Sequence, residues 1–221
     1  YQYAAIVNTK GWSGRSVTEP QSERVVRGPR EGFTETLAVN ISLVRKRLKS
    51  EDLKFKYIKK GARSNTQLCI CYLDELVSKK ILKELYTRLN DIDIDAILET
   101  GYIEELIKDS PLSPFATVGN TERPDVVAAK LLEGRIAIFC DGTPFVLTVP
   151  FIFQEYFQYN EDYYTNYLFA TINRLLRYIS FFVSTSLPAI YLGLTSFHQE
   201  LLPTPLILSI TSAREGIPFP T

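Results

Sequence analysis

The chain has 221 residues, and its 25 Lys and Arg side chains balance 25 Asp and Glu side chains. A chain of this length can bury a full hydrophobic core. Its neutral charge, without a basic tract, excludes the electrostatic signature of a nucleic-acid-binding protein, so we expect no nucleic acid among its partners.

Residues 1–30 are predicted to be the end of a first N-terminal subdomain and a linker. Tyr1–Val7 has the composition of a strand, and Thr9–Arg30 is polar and rich in Gly, Pro, Ser and Arg. Because the chain starts at Tyr1 and contains no Met, we expect it to be part of a longer protein.

Three arginines surround a Gly-Pro turn in this linker: Arg24, Arg27 and Arg30. Guanidinium groups beside free backbone amides bind anions, so these residues are candidates for an anion or carboxylate site. The alternative is an internal ion-pair network with the acidic residues nearby, which are Glu19, Glu23, Glu31 and Glu35.

Residues 31–150 are predicted to form a cytoplasmic α/β subdomain with a mixed sheet, flanking helices and a C-terminal hairpin. Helical spacing over Phe33–Leu48 predicts the first helix, and period-two alternation over Leu53–Tyr57 predicts an edge strand. Leu68–Leu73 is apolar at every position, which is typical of a strand covered on both faces.

The later elements follow the same periodicities. In chain order they are a helix capped by Asp74 with the apolar stripe Val77, Ile81, Leu85 and Leu89, a strand over Ile94–Leu98, a helix over Tyr102–Lys108, a helix over Pro124–Leu132, and a hairpin of Arg135–Cys140 and Phe145–Val149.

The sequence offers little support for catalysis. His198 is the single histidine, Cys69 and Cys71 lack the C-x-x-C spacing, and neither G-x-G-x-x-G nor a Walker motif occurs. We therefore expect a protein that is not an enzyme and that uses no cofactor and no metal. The cysteines fit reduced buried thiols in a reducing cytoplasm better than a disulfide framework.

The C-terminal part changes character. Residues 151–177 are predicted to be an aromatic interfacial connector, and residues 178–221 the start of a membrane domain. From Tyr178 to Phe197 the chain runs for about twenty residues without a charged side chain, the length of a transmembrane helix. Residues 201–213 are too short to span a bilayer and are predicted to be a partial or re-entrant segment.

Three residues are candidate membrane anchors. Arg174 and Arg177 precede the uncharged run and predict that this end stays in the cytoplasm. Pro188 lies inside the run, as in membrane helices whose neighbours satisfy the freed backbone group. The alternative is a buried helix of a soluble protein.

Several strings, taken together with their order and spacing, resemble a known family. They are Glu23–Glu35 (ERVVRGPREGFTE), Thr121–Asp125 (TERPD), Leu132–Arg135 (LEGR), Asp141–Pro144 (DGTP), Glu161–Tyr164 (EDYY), Leu187–Tyr191 (LPAIY), Phe197–Glu200 (FHQE) and Ala213–Pro220 (AREGIPFP). From about Gly14 onward the chain is similar to the A subunit of the GerA-type spore germination receptors of endospore-forming bacteria.

The resemblance implies a receptor subunit in the spore inner membrane that couples the sensing of small nutrients to ion release. It implies B and C receptor subunits as partners, a homo-oligomer of A subunits, and contact with membrane lipid. Two other readings stay open: the regulatory cytoplasmic domain of a transporter or permease subunit, and a soluble α/β enzyme with a buried C-terminal helix.

Overall fold

The computed structural model describes residues 16–215 except residues 21 and 111. The chain separates into two compact units, Tyr1–Tyr164 and Thr165–Thr221. The strand predicted over Tyr1–Val7 lies outside the described residues.

The first unit is built from both α-helices and β-strands. Its helices are α1 (Leu37–Arg47), α2 (Lys79–Asp91), α3 (Thr100–Ile107) and α4 (Pro124–Leu132). Its strands are β1 (Leu53–Lys60), β2 (Thr66–Leu73), β3 (Gly119–Thr121), β4 (Ile136–Cys140) and β5 (Val146–Val149). Two 3-10 segments, Phe153–Phe157 and Asn160–Tyr163, follow β5.

The five strands form one sheet in the order β1-β2-β4-β5-β3. Helices cover both faces, because alternate residues of β2 enter two separate cores. Leu68, Ile70 and Tyr72 pack with α2 and α3, whereas Cys69, Cys71 and Leu73 pack with α1 and α4. The α/β class, the flanking helices and the final hairpin are thus confirmed, and Cys69, Cys71 and Cys140 are buried free thiols as expected.

The sheet differs from the predicted mixed sheet, because all four described ladders are antiparallel. The strand predicted over Ile94–Leu98 is wrong: this segment is irregular and lies against a turn instead. The carbonyl of Ile94 accepts from the Ala62 amide at 3.0 Å, and the Ile97 amide donates to Ser64 Oγ at 3.1 Å. These bonds satisfy the backbone that a strand pairing would otherwise occupy.

The start of α2 also differs from prediction. Ser78, not Asp74, is the N-cap residue, and Asp74 instead forms an ion pair with Lys79. Leu82 is buried at the position next to Ile81, which is 37% exposed. The apolar stripe is therefore rotated by one residue at its first turn.

The second unit consists mainly of two helices, α5 (Tyr167–Phe197) and α6 (Thr204–Glu215), joined by a 3-10 turn. Among the described residues α5 is the one helix long and apolar enough to cross a membrane, and it contains the predicted span. Arg174 and Arg177 are half-buried on it, and Pro188 is exposed inside it. Ser184 and Thr185 donate to the carbonyls of Ser180 and Phe181, so their hydroxyl groups are satisfied within the helix.

Candidate functional site

The linker segment 22–30 is held between the start of α4 and the chain that leads into α5. We call this arrangement the junction; it comprises residues 22–30, Thr121–Asp125 and Asn160–Tyr164. All of them belong to the first unit. The junction brings together segments that are about a hundred residues apart in sequence. For example, Ser22 Oγ donates a hydrogen bond of 2.6 Å to Glu122 Oε2.

Arg123 is at the centre of the junction and is fully buried. Its guanidinium group donates to the carbonyl of Glu23 at 3.2 Å, to the carbonyl of Pro29 at 2.9 Å, and to Asp125 Oδ2 at 2.8 Å. Asp125 lies in the first turn of α4, where the helix dipole favours a carboxylate. One buried cation thus fixes both ends of the linker loop.

Tyr164 closes the junction from the other side. Its hydroxyl donates to Asp125 Oδ2 at 2.5 Å. Burial and this hydrogen bond raise the pKa of Tyr164 to about 12, so the hydroxyl is a permanent donor at neutral pH. Gly28 has φ +140° and packs on the ring, where an added Cβ atom would lie 3.1 Å from two ring carbons. The loop therefore needs glycine at this point.

A second bond ties the loop to the same turn. The amide of Val26 donates to Glu161 Oε1 at 2.5 Å. Glu161 lies in the 3-10 segment Asn160–Tyr163, which comes a few residues before α5 begins at Tyr167. The linker and the approach to α5 are thus bonded directly as well as through Asp125.

Glu23 is the half-buried acid of the junction. Its Oε2 atom accepts from Thr121 Oγ1 at 2.6 Å and from the Glu122 amide at 3.2 Å. Burial raises the pKa of Glu23 above its ordinary value of 4.5; these two hydrogen bonds and the charge of Arg123 act in the opposite direction but do not cancel it.

An ion-pair network lies beside the junction. The Glu155 carboxylate contacts Lys130 Nζ at 2.6 Å and Arg135 Nη1 at 2.6 Å, and it accepts from the Ile152 amide at 2.9 Å. Glu133 completes the network from the surface, 3.1 Å from Arg135 Nε. Glu155 thereby attaches the first 3-10 segment to the end of α4.

A cavity of about 320 Å³ lies between the junction and this network. Residues from the linker, β3, α4 and both 3-10 segments line it. The residues that line it include Glu23 and Asp125 together with apolar residues such as Val25 and Phe151. The volume falls at the lower end of the range of small-molecule sites.

The three predicted anion-site residues lie on the outer side of the linker loop. Arg24, Arg27 and Arg30 are exposed, and none has an ion pair within the described part of the chain. Two acids of the alternative network have other partners there: Glu31 pairs with Lys46 at 2.7 Å and Arg47 at 2.9 Å, and Glu23 accepts from Thr121.

Arg123, Asp125 and Tyr164 were not among the predicted site residues. Arg123 and Asp125 fall within the string TERPD and Tyr164 within EDYY, two of the strings that carry the family resemblance. A charged residue directly before a helix-opening proline was a further signal. The burial of Arg123 could not be read from local periodicity, because its partners are distant in the chain.

The charged side chains of this region hold separate chain segments together. Within residues 16–215, leaving out 21 and 111, no group of three or more His, Cys, Asp or Glu side chains could hold a metal ion. The acids and bases of the junction are engaged in fixing separate chain segments to one another.

Comparison with known proteins identifies the class. The whole chain, residues 1–221, matches the family described as Bacillus/Clostridium GerA spore germination protein. The chain belongs to this family, which confirms the resemblance predicted from its strings.

Individual relatives are similar to nearly the whole chain. The chain is 49% identical to spore germination protein KA of Bacillus subtilis (strain 168), over 98% of this chain and 40% of that protein. It is 51% identical to the uncharacterized membrane protein YfkQ of the same strain, over 97% of this chain and 42% of that protein. It is 43% identical to spore germination protein GerLA of Bacillus cereus, over 99% of this chain and 44% of that protein. The chain thus spans less than half the length of these curated relatives.

A solved structure is also similar. It is the N-terminal domain of the A subunit of the Bacillus megaterium spore germinant receptor GerK3, at 49% identity and a TM-score of 0.45. The match covers 55% of this chain and 97% of that one.

We expect Arg123→Ala to be the most damaging change in the junction. It leaves Asp125 buried without its cation and frees two main-chain carbonyls, at a cost of about 3–5 kcal/mol in the free energy of unfolding. Tyr164→Phe removes one hydrogen bond and should cost about 1 kcal/mol. Urea unfolding of the chain in detergent measures both. The exposed Arg24→Ala variant is the control, and an Arg123→Ala chain as stable as this control would contradict the assignment.

We expect the titration of Glu23 to make the first unit less stable as pH rises. Its pKa is raised in the folded chain, so between 4.5 and the folded pKa the folded state retains a proton that the unfolded state has lost. The stabilisation is complete below 4.5 and is lost as pH rises through the folded pKa.

Glu23→Gln keeps the acceptor oxygen but removes this titration. It should therefore flatten the dependence of the unfolding free energy on pH and stabilise the chain at neutral pH. Unfolding measured at a series of pH values, with the exposed Glu51→Gln variant as control, checks this. Parallel curves for the wild-type chain and Glu23→Gln would refute it.

Proposed function

We propose that this chain is part of an A-type subunit of a spore germinant receptor in the spore inner membrane, with its first unit in the cytoplasm. The match to the GerA family over residues 1–221 carries the proposal. The receptor acts with B and C subunits, couples the sensing of a small nutrient to ion release, and brings A subunits together as a homo-oligomer. The similar A subunit of GerK3 is named as part of a germinant receptor.

In this proposal α5 crosses the bilayer. Its length of 31 residues exceeds what a hydrocarbon core requires, and only 6% of its most apolar window is buried within the protein. Arg174 and Arg177 mark its cytoplasmic end, and the hydrogen bond that Pro188 cannot make leaves a carbonyl for a neighbouring helix. A soluble enzyme would instead bury this surface in its own core.

The junction is our candidate for the part that transmits a change of state. The linker and the turn before α5 are bonded to the same buried pair, Arg123 and Asp125. A displacement of the linker therefore moves this turn or breaks those bonds. The family role and this coupling are consistent with a receptor in which the first unit influences the membrane helices.

The exposed arginines of the loop keep their proposed role as an anion or carboxylate contact. Arg24, Arg27 and Arg30 lie on a loop that is anchored without them, through Arg123 and the Val26 amide. Their guanidinium groups are therefore available to a ligand or to a neighbouring subunit. A nutrient response that Arg27→Ala leaves unchanged would rule this contact out.

Single introduced cysteines test the membrane span. Burial raises the pKa of Cys69 and Cys140 to about 12 and that of Cys71 still further, so the native thiols do not form reactive thiolates at neutral pH. In intact vesicles we expect Ser186→Cys, inside α5, to resist a membrane-permeant maleimide until detergent is added. Ser42→Cys, exposed on α1, should be labelled without detergent. Equal labelling rates in intact vesicles would exclude the span.

Deletion of the full-length gene tests the receptor role. Spores of the parent organism that lack it should lose ion release in response to the matching nutrient, while nutrient uptake stays unchanged. Restoring the gene should restore the response, and a Tyr164→Phe gene should restore it with altered sensitivity to nutrient. Loss of uptake with normal ion release would favour a permease subunit instead.

A further inference from the structure

The cavity beside the junction contains a negative charge that no neighbouring cation compensates directly. Arg123 pairs with Asp125 at 2.8 Å. Lys130 and Arg135 pair with the two acids of the neighbouring network, Glu133 and Glu155. Once these pairs are matched, Glu23 is the acid that remains in the cavity wall.

The two carboxylate oxygens of Glu23 differ in their hydrogen bonds. Oε2 accepts from a hydroxyl group and a backbone amide, both of which are neutral donors. Among the residues that the structure describes, Oε1 has no hydrogen-bond partner. The residue is half-buried, so water screens this charge less than it would screen a surface carboxylate.

A second acceptor in the same wall also lacks a donor. The side chain of Asp125 is 6% exposed, and its Oδ2 atom takes the bonds from Arg123 and Tyr164. Its Oδ1 atom is buried and has no hydrogen-bond partner in the described part of the chain. Buried polar atoms without partners are uncommon in folded proteins, and this buried pair contains two of them, Asp125 Oδ1 and Arg123 Nε.

The remainder of the cavity suits the apolar part of a small ligand. Val25, Val126 and Phe151 contribute hydrocarbon surface to the lining. Tyr159 and Tyr163 add aromatic rings, whose faces attract a cation. About 320 Å³ is enough for a few carbon atoms and one charged group, but not for a polymer.

We propose that this cavity binds a small organic cation, a primary ammonium group on a short apolar chain, with the ammonium at Glu23 and near Asp125. The ligand contacts the linker on one side and the Gln158–Tyr164 turn on the other, so its binding stabilises the junction. This deepens the receptor role by placing a ligand site within this chain. Binding to this cavity is measured without a germination readout, so the ligand site can be disproved while the receptor role stands.

The probe is n-butylammonium chloride, and 1-butanol is the neutral control of the same length. The 221-residue chain is placed in phosphatidylcholine nanodiscs, and the backbone amide resonances of Thr121 and Glu122 are followed by NMR. We expect saturable shifts with butylammonium and none with butanol at equal concentration. Equal binding of the two compounds would overturn the proposal.

Two variants distinguish binding at Glu23 from a general effect of removing an acidic side chain. Glu23→Gln should weaken butylammonium binding about tenfold, the loss expected for one charge-assisted hydrogen bond. Glu104→Gln is the matched control, because Glu104 is also a half-buried acid with a raised pKa but does not line the cavity. Unchanged binding by Glu23→Gln, or equal weakening by Glu104→Gln, would overturn the site.

A third variant decides the question if Glu23→Gln does not fold. Ala129 is an exposed position of α4 that lines the cavity, so Ala129→Leu fills it while it preserves the helix and Glu23. Loss of butylammonium binding in a folded Ala129→Leu chain supports the proposal. Retained binding contradicts it.

Discussion

The burial of one guanidinium group constrains the whole first unit. An ion as large as that of Arg123 costs several kcal/mol to remove from water unless its charge and its N–H groups are satisfied. Asp125 supplies the charge, and the main-chain carbonyls of Glu23 and Pro29 accept from the two terminal nitrogens, while Nε has no partner among the described residues. The energetics of a residue before α4 therefore determine where a loop about a hundred positions earlier must lie.

The position of the junction follows from the sheet. β3 is the edge strand next to β5, and it ends at Thr121, directly before the residues that open α4. An edge strand leaves one side without a strand neighbour, and here Glu23 of the linker bonds to the end of β3 and to the residue that follows it. Thr121 shows the consequence: its backbone pairs with Val146 while its hydroxyl donates to Glu23. The sheet edge thus becomes the place where three chain segments meet.

Local periodicity predicted the parts of the fold that local physics determines. The apolar run of β2, the helix opened by Pro124 and the hairpin around Asp141 and Gly142 were all predicted, because each depends on residues close together in sequence. The strand over Ile94–Leu98 was wrong for the opposite reason. Ile97 is buried, at 1% exposure, but distant hydrogen bonds to the 61–64 turn decide the backbone of this segment.

The candidate site shows the same division. The arginines of the linker were noticed because three cations in seven residues are conspicuous in sequence, yet all three are exposed. The arginine with structural consequences, Arg123, stands alone between Glu122 and Pro124 and gives no such signal. Its importance comes from partners that only the tertiary fold brings near. The family strings TERPD and EDYY include Arg123, Asp125 and Tyr164, but the resemblance implied no role for these three residues.

In the proposed receptor, the junction also limits how a signal passes through this chain. A ligand shifts a conformational equilibrium only by its difference in affinity between the two states. The cavity wall includes Val25 from the linker and Tyr164 from the turn before α5, so a ligand inside it binds most tightly when both segments are in place. Any state that separates the linker from this turn removes part of the wall and also breaks bonds to Arg123 and Asp125. A bound ligand and an intact pair of Arg123 and Asp125 therefore favour the same state. A change that breaks the bonds of this pair must also weaken ligand binding in the cavity.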